Sequence, residues 1–514
     1  MRLKDNESLR LMLVELLPDE AERQFGMQDY PFLMGLARSL GWEVSWSVLG
    51  VRYDPTLRYA LDPGDIKLLL AEAGRRRPQV VVLNERLRED QAAALAAAAG
   101  EARLVYSSRR GDQDLSRFAD FVREHLPEAP RRVVDDPDLL DRIEPEFKRE
   151  VLNKASWADN PIVRVFVGNR CSYRTRVADN PYYRRLKLPS ATMRCSFCFD
   201  EGVASRVSVR RQASLAARQV ATACRLRPAA GGERRFEVIG SRLRLRLEGF
   251  VRELLRLGAR SAELCFMPRI DEILEARAVI ERCLPLLARN DLAIRFYGAG
   301  VENFSSAENL RLNKGITARQ VHEAAAFIIA TRARWPEQFR FQDGQLSMIL
   351  FTPWTTLDDL RINMENIERC PLICPCAALK SRLQLFPGPG RPIAALAEHD
   401  GLLDKKRDVP FYNSGCIVSA DQSEIPWRFA HPEVEVLCRL GLKISRYHRD
   451  ERPADDPEIQ AIGAFARKEA GPPNPLPLFR RAIDVVERHP RIGSPLQLLE
   501  LMRKEGIPAG RRSS

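Results

Sequence analysis

Three cysteines in the stretch "CSYRTRVADNPYYRRLKLPSATMRCSFC" have the types and spacing that iron–sulfur chemistry needs. Cys195 and Cys198 form a CxxC pair, in which a single turn brings two sulfur ligands to the same side of a metal ion or cluster. Residues 172–194 separate Cys171 from this pair. Because the entropy of loop closure grows only logarithmically with length, such an insertion does not abolish a three-cysteine site. The alternatives are a CxxC redox pair or a zinc half-site beside an unrelated cysteine.

Four later cysteines form a second set of soft ligands. Cys370, Cys374 and Cys376 lie in "ERCPLICPC", and Cys416 follows further along the chain. They suit an auxiliary iron–sulfur cluster, although the same stretch is apolar enough to be a buried strand with small side chains. The six histidines show no HxxxH or HxH arrangement, so the sequence gives no support for a histidine-bound metal ion.

Four phrases in order carry a resemblance to a known family. "CSFC" has an aromatic residue, Phe197, before its last cysteine. "GAGVENFSSAENLRLNKGIT" (298–317) is similar to a GIES segment with its following NKG phrase. "MILFTPWTTLDDL" (348–360) is similar to a strand and turn that usually end in PGET, and "SRLQLFPGPGRPIAALAEHDGLL" (381–403) to an RL-x-x-PGT segment. Together they resemble the radical S-adenosylmethionine enzyme superfamily, in particular the group that carries an N-terminal cobalamin-binding domain.

The resemblance implies a cluster site and its cofactors. Cys171, Cys195 and Cys198 would hold a [4Fe–4S] cluster, whose open iron binds S-adenosylmethionine. Phe197 and Glu302, the acidic residue of the GIES-like segment, would contact that cofactor; the alternative for Glu302 is a carboxylate at a strand end that forms a salt bridge. An external electron donor would drive cleavage of S-adenosylmethionine to a deoxyadenosyl radical. The family spaces its cysteines as CxxxCxxC, so the long insertion here is a departure.

The same resemblance implies a cobalamin-dependent methyltransferase that acts on an unactivated carbon or phosphorus centre of a small-molecule or peptide substrate. A DxHxxG motif for the lower cobalamin ligand is absent, and the first histidine is His125. Radical oxidation or rearrangement, with cobalamin non-methylating or absent, is one alternative. A catalytically silent iron–sulfur binding module is another. Residues 1–170 contain no cysteine, which disfavours the methylthiotransferases that modify tRNA.

Charge and hydropathy restrict the partners. The net charge of +12 comes mostly from scattered arginines, with no long Lys/Arg block interleaved with aromatics, so a solvated basic surface is favoured over a nucleic-acid interface. The N-terminus carries acidic residues where a signal peptide is apolar, and no stretch of 18 apolar residues occurs. We therefore predict a cytoplasmic protein without a membrane span.

The hydrophobic pattern predicts an α/β protein of several domains. Apolar strands at 9–16 and 78–85 alternate with helices, including the alanine-rich "DQAAALAAAAG", which predicts a doubly wound parallel sheet, cobalamin-binding-like, over residues 1–126. A linker follows at 127–160. Residues 161–390 repeat strand and helix units, which predicts a full or partial TIM-like barrel with its site at the strands' carboxyl ends. Residues 391–514 read as a small, mostly helical cap domain.

One helix start is predicted in detail. Thr355 and Thr356, followed three residues later by Asp358 and Asp359, have the pattern of a capping box. We therefore expect these residues to begin a helix, without a chemical role.

Overall fold

Two groups of parallel strands organise the chain. The computed structural model describes residues 8–18, 29–51, 61–84, 87–107, 118–136, 138–153, 163–166, 173, 175–188, 194–198, 208–225, 234–239, 243–341, 343–383, 392–403, 427–449, 457–469 and 475–505. Of the predicted site residues, Cys171 and Cys416 lie outside these ranges.

The first sheet has five parallel strands in the order β4-β3-β1-β2-β5. Its strands are β1 (Arg10–Pro18), β2 (Glu43–Val51), β3 (Val80–Leu83), β4 (Arg103–Tyr106) and β5 (Glu150–Val151). The chain reverses its direction of winding between the neighbours β1 and β3, so this sheet has a topological switch point at its carboxyl edge. The prediction of an N-terminal parallel sheet is confirmed.

Helices cover both faces of this sheet, and each face has its own core. The helices are α1 (Tyr30–Ser39), α2 (Pro63–Arg76), α3 (Glu89–Ala98), α4 (Phe118–His125), α5 (Arg131–Val134) and α6 (Leu139–Arg142). Alternate residues of β1 serve the two cores: Leu11 and Leu13 pack with α1 and α4, whereas Met12 and Val14 pack with α2 and α3. A strand buried on both faces reads as a continuous apolar run, as the sequence of β1 does.

The segment predicted to be a linker, 127–160, contributes to this first unit. It contains α5 and α6, and β5 pairs with β2 at the edge of the sheet.

The second group of strands begins after residue 160. A five-stranded parallel sheet has the order β11-β9-β8-β7-β6, and a two-stranded parallel sheet pairs β10 with β12. The strands are β6 (Val163–Phe166), β7 (Arg234–Ile239), β8 (Ala262–Phe266), β9 (Leu292–Phe296), β10 (Ala299–Glu302), β11 (Phe339–Phe341) and β12 (Leu346–Met348). Only Tyr297 and Gly298 separate β9 from β10, so the chain passes directly from one sheet into the other. The chain is therefore an α/β protein with two regions of parallel sheet.

Helices alternate with these strands along the chain. They are α7 (Val209–Arg225), α8 (Leu243–Arg256), α9 (Ile270–Ala288), α10 (Ser306–Arg311), α11 (Ala318–Arg334), α12 (Leu357–Glu368) and α13 (Pro375–Leu379). Thr356 caps α12 in a complete capping box with Asp359, as the sequence predicts. Phe236, Leu264 and Ile294 of the central strands lie in the core beneath these helices.

The opposite face of this sheet is polar. Fully buried Glu263 on β8 accepts from Arg340 on β11 at 2.9 Å, and it forms ion pairs with Arg295 on β9 at 2.8 Å and with Arg235 on β7 at 3.4 Å. Because side chains alternate along a strand, the same sheet has one apolar face and one charged face.

The described C-terminal residues are mostly helical. They form α14 (Pro392–His399), α15 (Pro432–Arg449), α16 (Pro457–Glu469), α17 (Leu476–Arg488) and α18 (Pro495–Lys504), and α14, α15, α17 and α18 contribute to the same continuous core as the second sheet. Within the described ranges, every helix is too short or too polar to cross a bilayer.

Candidate metal centre

The CxxC turn is attached to the loop that follows α10. Cys195 is buried and Cys198 is half-buried, and the backbone N–H of Cys198 donates to the carbonyl of Cys195 at 3.2 Å. Ser196, between them, donates its N–H to Leu312 O at 2.9 Å and its hydroxyl to Arg311 O at 3.0 Å. Its carbonyl accepts from the N–H of Ile393 in α14. The turn is thus fixed on both sides by backbone hydrogen bonds.

Arg269 connects the turn to the carboxyl end of β8. Its Nη1 donates to Sγ of Cys195 at 3.2 Å, and its Nη2 donates to the carbonyl of Lys314 at 2.7 Å. Asp271 accepts from the Nε of the same guanidinium at 2.9 Å, which fixes its plane. A buried cation that donates to sulfur offsets negative charge on a cysteine ligand.

Glu302 forms a buried ion pair with Lys314 at the carboxyl end of β10. Lys314 Nζ donates to Glu302 Oε1 at 2.7 Å, and both side chains are at most 10% exposed. Burial lowers the pKa of Lys314, but the negative charges of Glu302 and Cys195 outweigh that effect and leave the pKa raised. The Nζ also lies 5.9 Å from the centre of the Phe197 ring. Gly300 makes room for the pair, because a Cβ there would overlap Glu302 and Lys314.

The insertion between Cys171 and Cys195 packs on the same loop. Asn313 Nδ2 donates to Arg194 O at 2.7 Å and to Thr175 O at 3.3 Å, so one amide group joins the two ends of the insertion. Asn313 Oδ1 accepts from Asn180 within it. Tyr183 is fully buried and donates its hydroxyl to Arg311 O at 2.6 Å. The insertion is therefore an integral layer of the site rather than a loop that merely passes it.

Tyr173 continues this layer beside Arg269. The guanidinium carbon of Arg269 lies 4.0 Å from the centre of the Tyr173 ring, a cation–π contact. Burial raises the pKa of the Tyr173 hydroxyl. Gly315 lies against this ring, since a Cβ at Gly315 would come within 2.6 Å of the Tyr173 hydroxyl oxygen. Tyr173 follows Cys171 by two residues.

The described residues that the sequence singled out for this site come close together. Cys195, Phe197 and Glu302 meet around Arg269 and Lys314, with Cys198 in the same turn. Sequence reasoning assigned no role to Arg269 or Asn313. The phrase "NKG" pointed to Asn313, but nothing local in "FMPRIDE" indicates that Arg269 contacts a cysteine.

The first sheet has a polar group at its carboxyl edge. Asp29 begins α1, and one of its oxygens accepts from the Ser107 hydroxyl at 3.3 Å just after β4. The other oxygen, Oδ1, is buried and has no hydrogen-bond partner among the described residues. Burial raises the pKa of Asp29 to about 6. This edge is where open parallel sheets bind ligands.

His125 lies near the amino ends of the strands of that sheet. Its carbonyl accepts from Arg103, the first residue of β4, and its ring packs against Phe121. It is therefore remote from the carboxyl edge where a cobalamin ligand is expected.

The later cysteines are not assembled as a cluster site within the described ranges. No three His, Cys, Asp or Glu side chains there form a group that suits a metal ion. Cys370 is buried, whereas Cys374 and Cys376 are half-buried. Cys416 lies outside these ranges, so the auxiliary cluster stays a prediction.

The chain matches no model of a known protein family and no curated protein.

Proposed function

We propose that this chain is a radical S-adenosylmethionine enzyme in which Cys171, Cys195 and Cys198 hold a [4Fe–4S] cluster. The observation that carries the proposal is the pair of hydrogen bonds from Asn313 to Thr175 and Arg194. These bonds hold Thr175, which is four residues after Cys171, close to Arg194, which immediately precedes Cys195. The described ends of the insertion, Thr175 and Arg194, are therefore close in space, which supports a three-cysteine site despite the wide spacing in sequence.

The surroundings of the pair fit such a cluster. Tyr173 contacts Arg269, and Arg269 donates to Cys195. Tyr173 is two residues from Cys171 in the sequence. Two soft sulfur donors beside a guanidinium and an ammonium group suit a cluster that carries net negative charge.

A bound cluster would supply one electron for reductive cleavage of S-adenosylmethionine to methionine and a radical able to abstract hydrogen from carbon. Arg269 holds the CxxC turn and withdraws charge from Cys195 by its hydrogen bond. Glu302 and Lys314 present a carboxylate and an ammonium group on the same side of the site. These two groups match the amino and carboxylate groups of an amino acid, and Phe197 offers an adjacent apolar surface.

We further propose that the second group of strands closes into a full or partial barrel. The supporting feature is the continuity of β9 into β10, which lets one stretch of chain join the five-stranded and two-stranded sheets. Arg269 follows β8 and Glu302 ends β10, so the site residues lie at carboxyl ends of parallel strands, where barrel enzymes act. A small-molecule or peptide substrate would enter there, and the electron would come from an external donor.

The proposed second cofactor is cobalamin at the carboxyl edge of the first sheet. The buried, unpartnered oxygen of Asp29 beside Ser107 fits a polar ligand group at that edge. His125 lies at the opposite edge, so we propose binding without a ligand from this histidine. Bound methylcobalamin would supply the methyl group for transfer to a carbon or phosphorus centre.

The test is anaerobic reconstitution of the full chain, followed by incubation with S-adenosylmethionine and dithionite, with and without cobalamin. We expect deoxyadenosine in both cases and S-adenosylhomocysteine only with cobalamin. Cys198→Ala should lose iron and deoxyadenosine together. Cys224→Ala is the matched control, because Cys224 is a half-buried thiol at the end of α7, where its carbonyl accepts from Arg234 at the amino end of β7.

The products separate the alternatives. Deoxyadenosine without S-adenosylhomocysteine, measured in the presence of cobalamin, would favour radical oxidation or rearrangement. Bound iron without either product, across a panel of small-molecule and peptide substrates, would favour a silent iron–sulfur module. Iron and products that survive Cys198→Ala would refute the proposed ligand set.

A further inference from the structure

Three arginines lie on the charged face of the five-stranded second sheet. Arg235 is on β7, Arg295 on β9 and Arg340 on β11, and we call these three residues the arginine cluster. Each forms an ion pair with Glu263 on β8, at 3.4, 2.8 and 2.9 Å respectively. Glu263 is fully buried, whereas the arginine side chains are 26–39% exposed. The arginine cluster therefore has a buried anchor and guanidinium groups that solvent reaches.

The strand register places like charges side by side in this cluster. Arg295 is directly opposite Arg340 on the neighbouring strand, and Arg235 is directly opposite Glu263. Like charges on directly paired positions repel each other and destabilise a sheet. Because Glu263 offsets only one of the three positive charges, the register favours a further anion on this face.

Two other carboxylates lie nearby and leave the arginine cluster cationic. Glu237, on the same face of β7, accepts from the Tyr297 hydroxyl. Glu337 lies 3.8 Å from Arg340, but its side chain is 78% exposed, and solvent screens such a pair. With Glu263 and Glu237 both counted against three guanidinium groups, this face still carries surplus positive charge.

Glu263 attracts two of the guanidinium groups without using their hydrogen-bond donors. In Arg235 and Arg295 the atom closest to the carboxylate is Nε. Both Nε atoms are buried, and neither has a hydrogen-bond partner among the described residues. The Nη groups, which carry most of the five N–H donors of a guanidinium, lie farther from the carboxylate. Planar donors of this kind bind phosphate oxygens through paired hydrogen bonds.

We propose that the arginine cluster binds the phosphate or phosphonate group of a small molecule. Strands β7 and β9 flank β8, so Arg235 and Arg295 approach from opposite sides of Glu263. A tetrahedral oxyanion between them accepts from the Nη groups of both, and its charge offsets the surplus on this face. Binding needs neither an iron–sulfur cluster nor S-adenosylmethionine, so the site holds for an enzyme and for a silent module alike.

The test is isothermal titration calorimetry of the full chain at low salt, without reconstitution of a cluster. Inorganic phosphate and methylphosphonate are the probes, because they share three oxygens and differ in the fourth group. Binding of either probe at one site per chain supports the proposal, and the tighter probe identifies the group that the ligand carries. Failure of both probes to bind would overturn it.

Two variants and a control locate the bound anion. Arg235→Gln and Arg295→Gln each remove one guanidinium group and keep a long polar side chain. Each should weaken affinity by about 10-fold to 100-fold, which is the effect of losing one hydrogen bond to a charged group. The control is Arg282→Gln, because Arg282 on α9 is 57% exposed and pairs with Glu248 on α8. Equal affinity in all three variants would overturn the proposal, since phosphate would then bind elsewhere.

Glu263→Gln distinguishes binding from a general loss of structure. It removes the carboxylate that competes with the ligand for the guanidinium groups, so phosphate should bind more tightly than to the wild type. A change that merely disturbs the sheet would weaken binding instead. Phosphate should also raise the melting temperature of this variant more than that of the wild type, because a ligand stabilises the state that it binds. Affinity or a thermal shift no greater than in the wild type would contradict the proposal.

Discussion

Asn313 is the residue whose replacement best tests how the insertion is held. Its side chain donates to Arg194 O and Thr175 O and accepts from Asn180. Its φ of 49° lies in the left-handed region, which glycine adopts readily. Asn313→Gly therefore removes the hydrogen bonds without adding backbone strain.

The cost follows from the hydrogen bonds lost. Each contributes on the order of 1 kcal/mol, and a buried group left without a partner adds about 1–3 kcal/mol. We expect roughly 2–4 kcal/mol, localised to the insertion and the CxxC turn. Because 1.4 kcal/mol is a factor of ten, the opening equilibrium of this segment should rise by about 30-fold to 1,000-fold.

Hydrogen exchange read by mass spectrometry measures this opening directly. Peptides that cover 175–188 and 194–198 should exchange faster in Asn313→Gly, with the first sheet unchanged. Asn313→Asp should behave similarly, because it keeps the acceptor for Asn180 and loses both donors. The control is Asn290→Gly. Asn290 follows α9, and its side chain makes a single hydrogen bond, to the carbonyl of Leu286 in that helix. Unchanged exchange in both Asn313 variants, or an effect equal to the control's, would refute the argument that this amide joins the two ends.

Three further predictions concern the same residues and the first sheet. Glu302→Gln leaves Lys314 buried without its anion and should lower the free energy of unfolding by about 3–5 kcal/mol. Because the pair raises the pKa of Lys314, the stability that the ion pair gives the wild type is present at neutral pH and is lost above the ordinary lysine pKa. Thermal melts at pH 7 to 11.5 should show this loss in the wild type but not in the variant. Gly315 (φ 66°) and Gly258 (φ 73°) have similar backbone conformations, but a Cβ at Gly315 would meet the Tyr173 ring, whereas the space at Gly258 is open. Gly315→Ala should therefore lower the melting temperature more than Gly258→Ala does. Equal losses would mean that the ring can move aside. Asp29 keeps its proton up to about pH 6 when folded, so the stability of the first sheet should fall by roughly 3 kcal/mol as pH rises from 4 to above 6. In urea titrations monitored by hydrogen exchange, Asp29→Asn should abolish this dependence of stability on pH. An unchanged dependence in the variant would mean that another group causes it.

The alternation of strands and helices could be predicted from the sequence because its causes are local. The apolar run of β1 is buried on both faces, and the strand lies inside a parallel sheet as its pattern predicts. The capping box of Thr356 and Asp359 spans one turn of α12, so residue types at fixed spacing suffice to identify it.

The order of strands in space could not be derived from the same patterns. That β3 lies beside β1, and that β9 continues into β10 to join a different sheet, depends on which pairings bury the most apolar surface. A periodic pattern indicates that a strand has a buried face but does not specify its neighbour.

The candidate metal centre likewise has features that the sequence predicts and features that only the tertiary structure determines. The sequence alone determined the CxxC pair and the segment with Glu302, since their residue types and spacing are visible within a few positions. Only the tertiary structure decided that Arg269 donates to Cys195, 74 residues away, and that Asn313 joins Thr175 to Arg194, 138 and 119 residues away. Hydrogen bonds between residues so distant in sequence form only after the layers have packed, because the packing sets which donors and acceptors meet. The cysteines are a property of the sequence, and the closeness of Thr175 to Arg194 is a property of the fold.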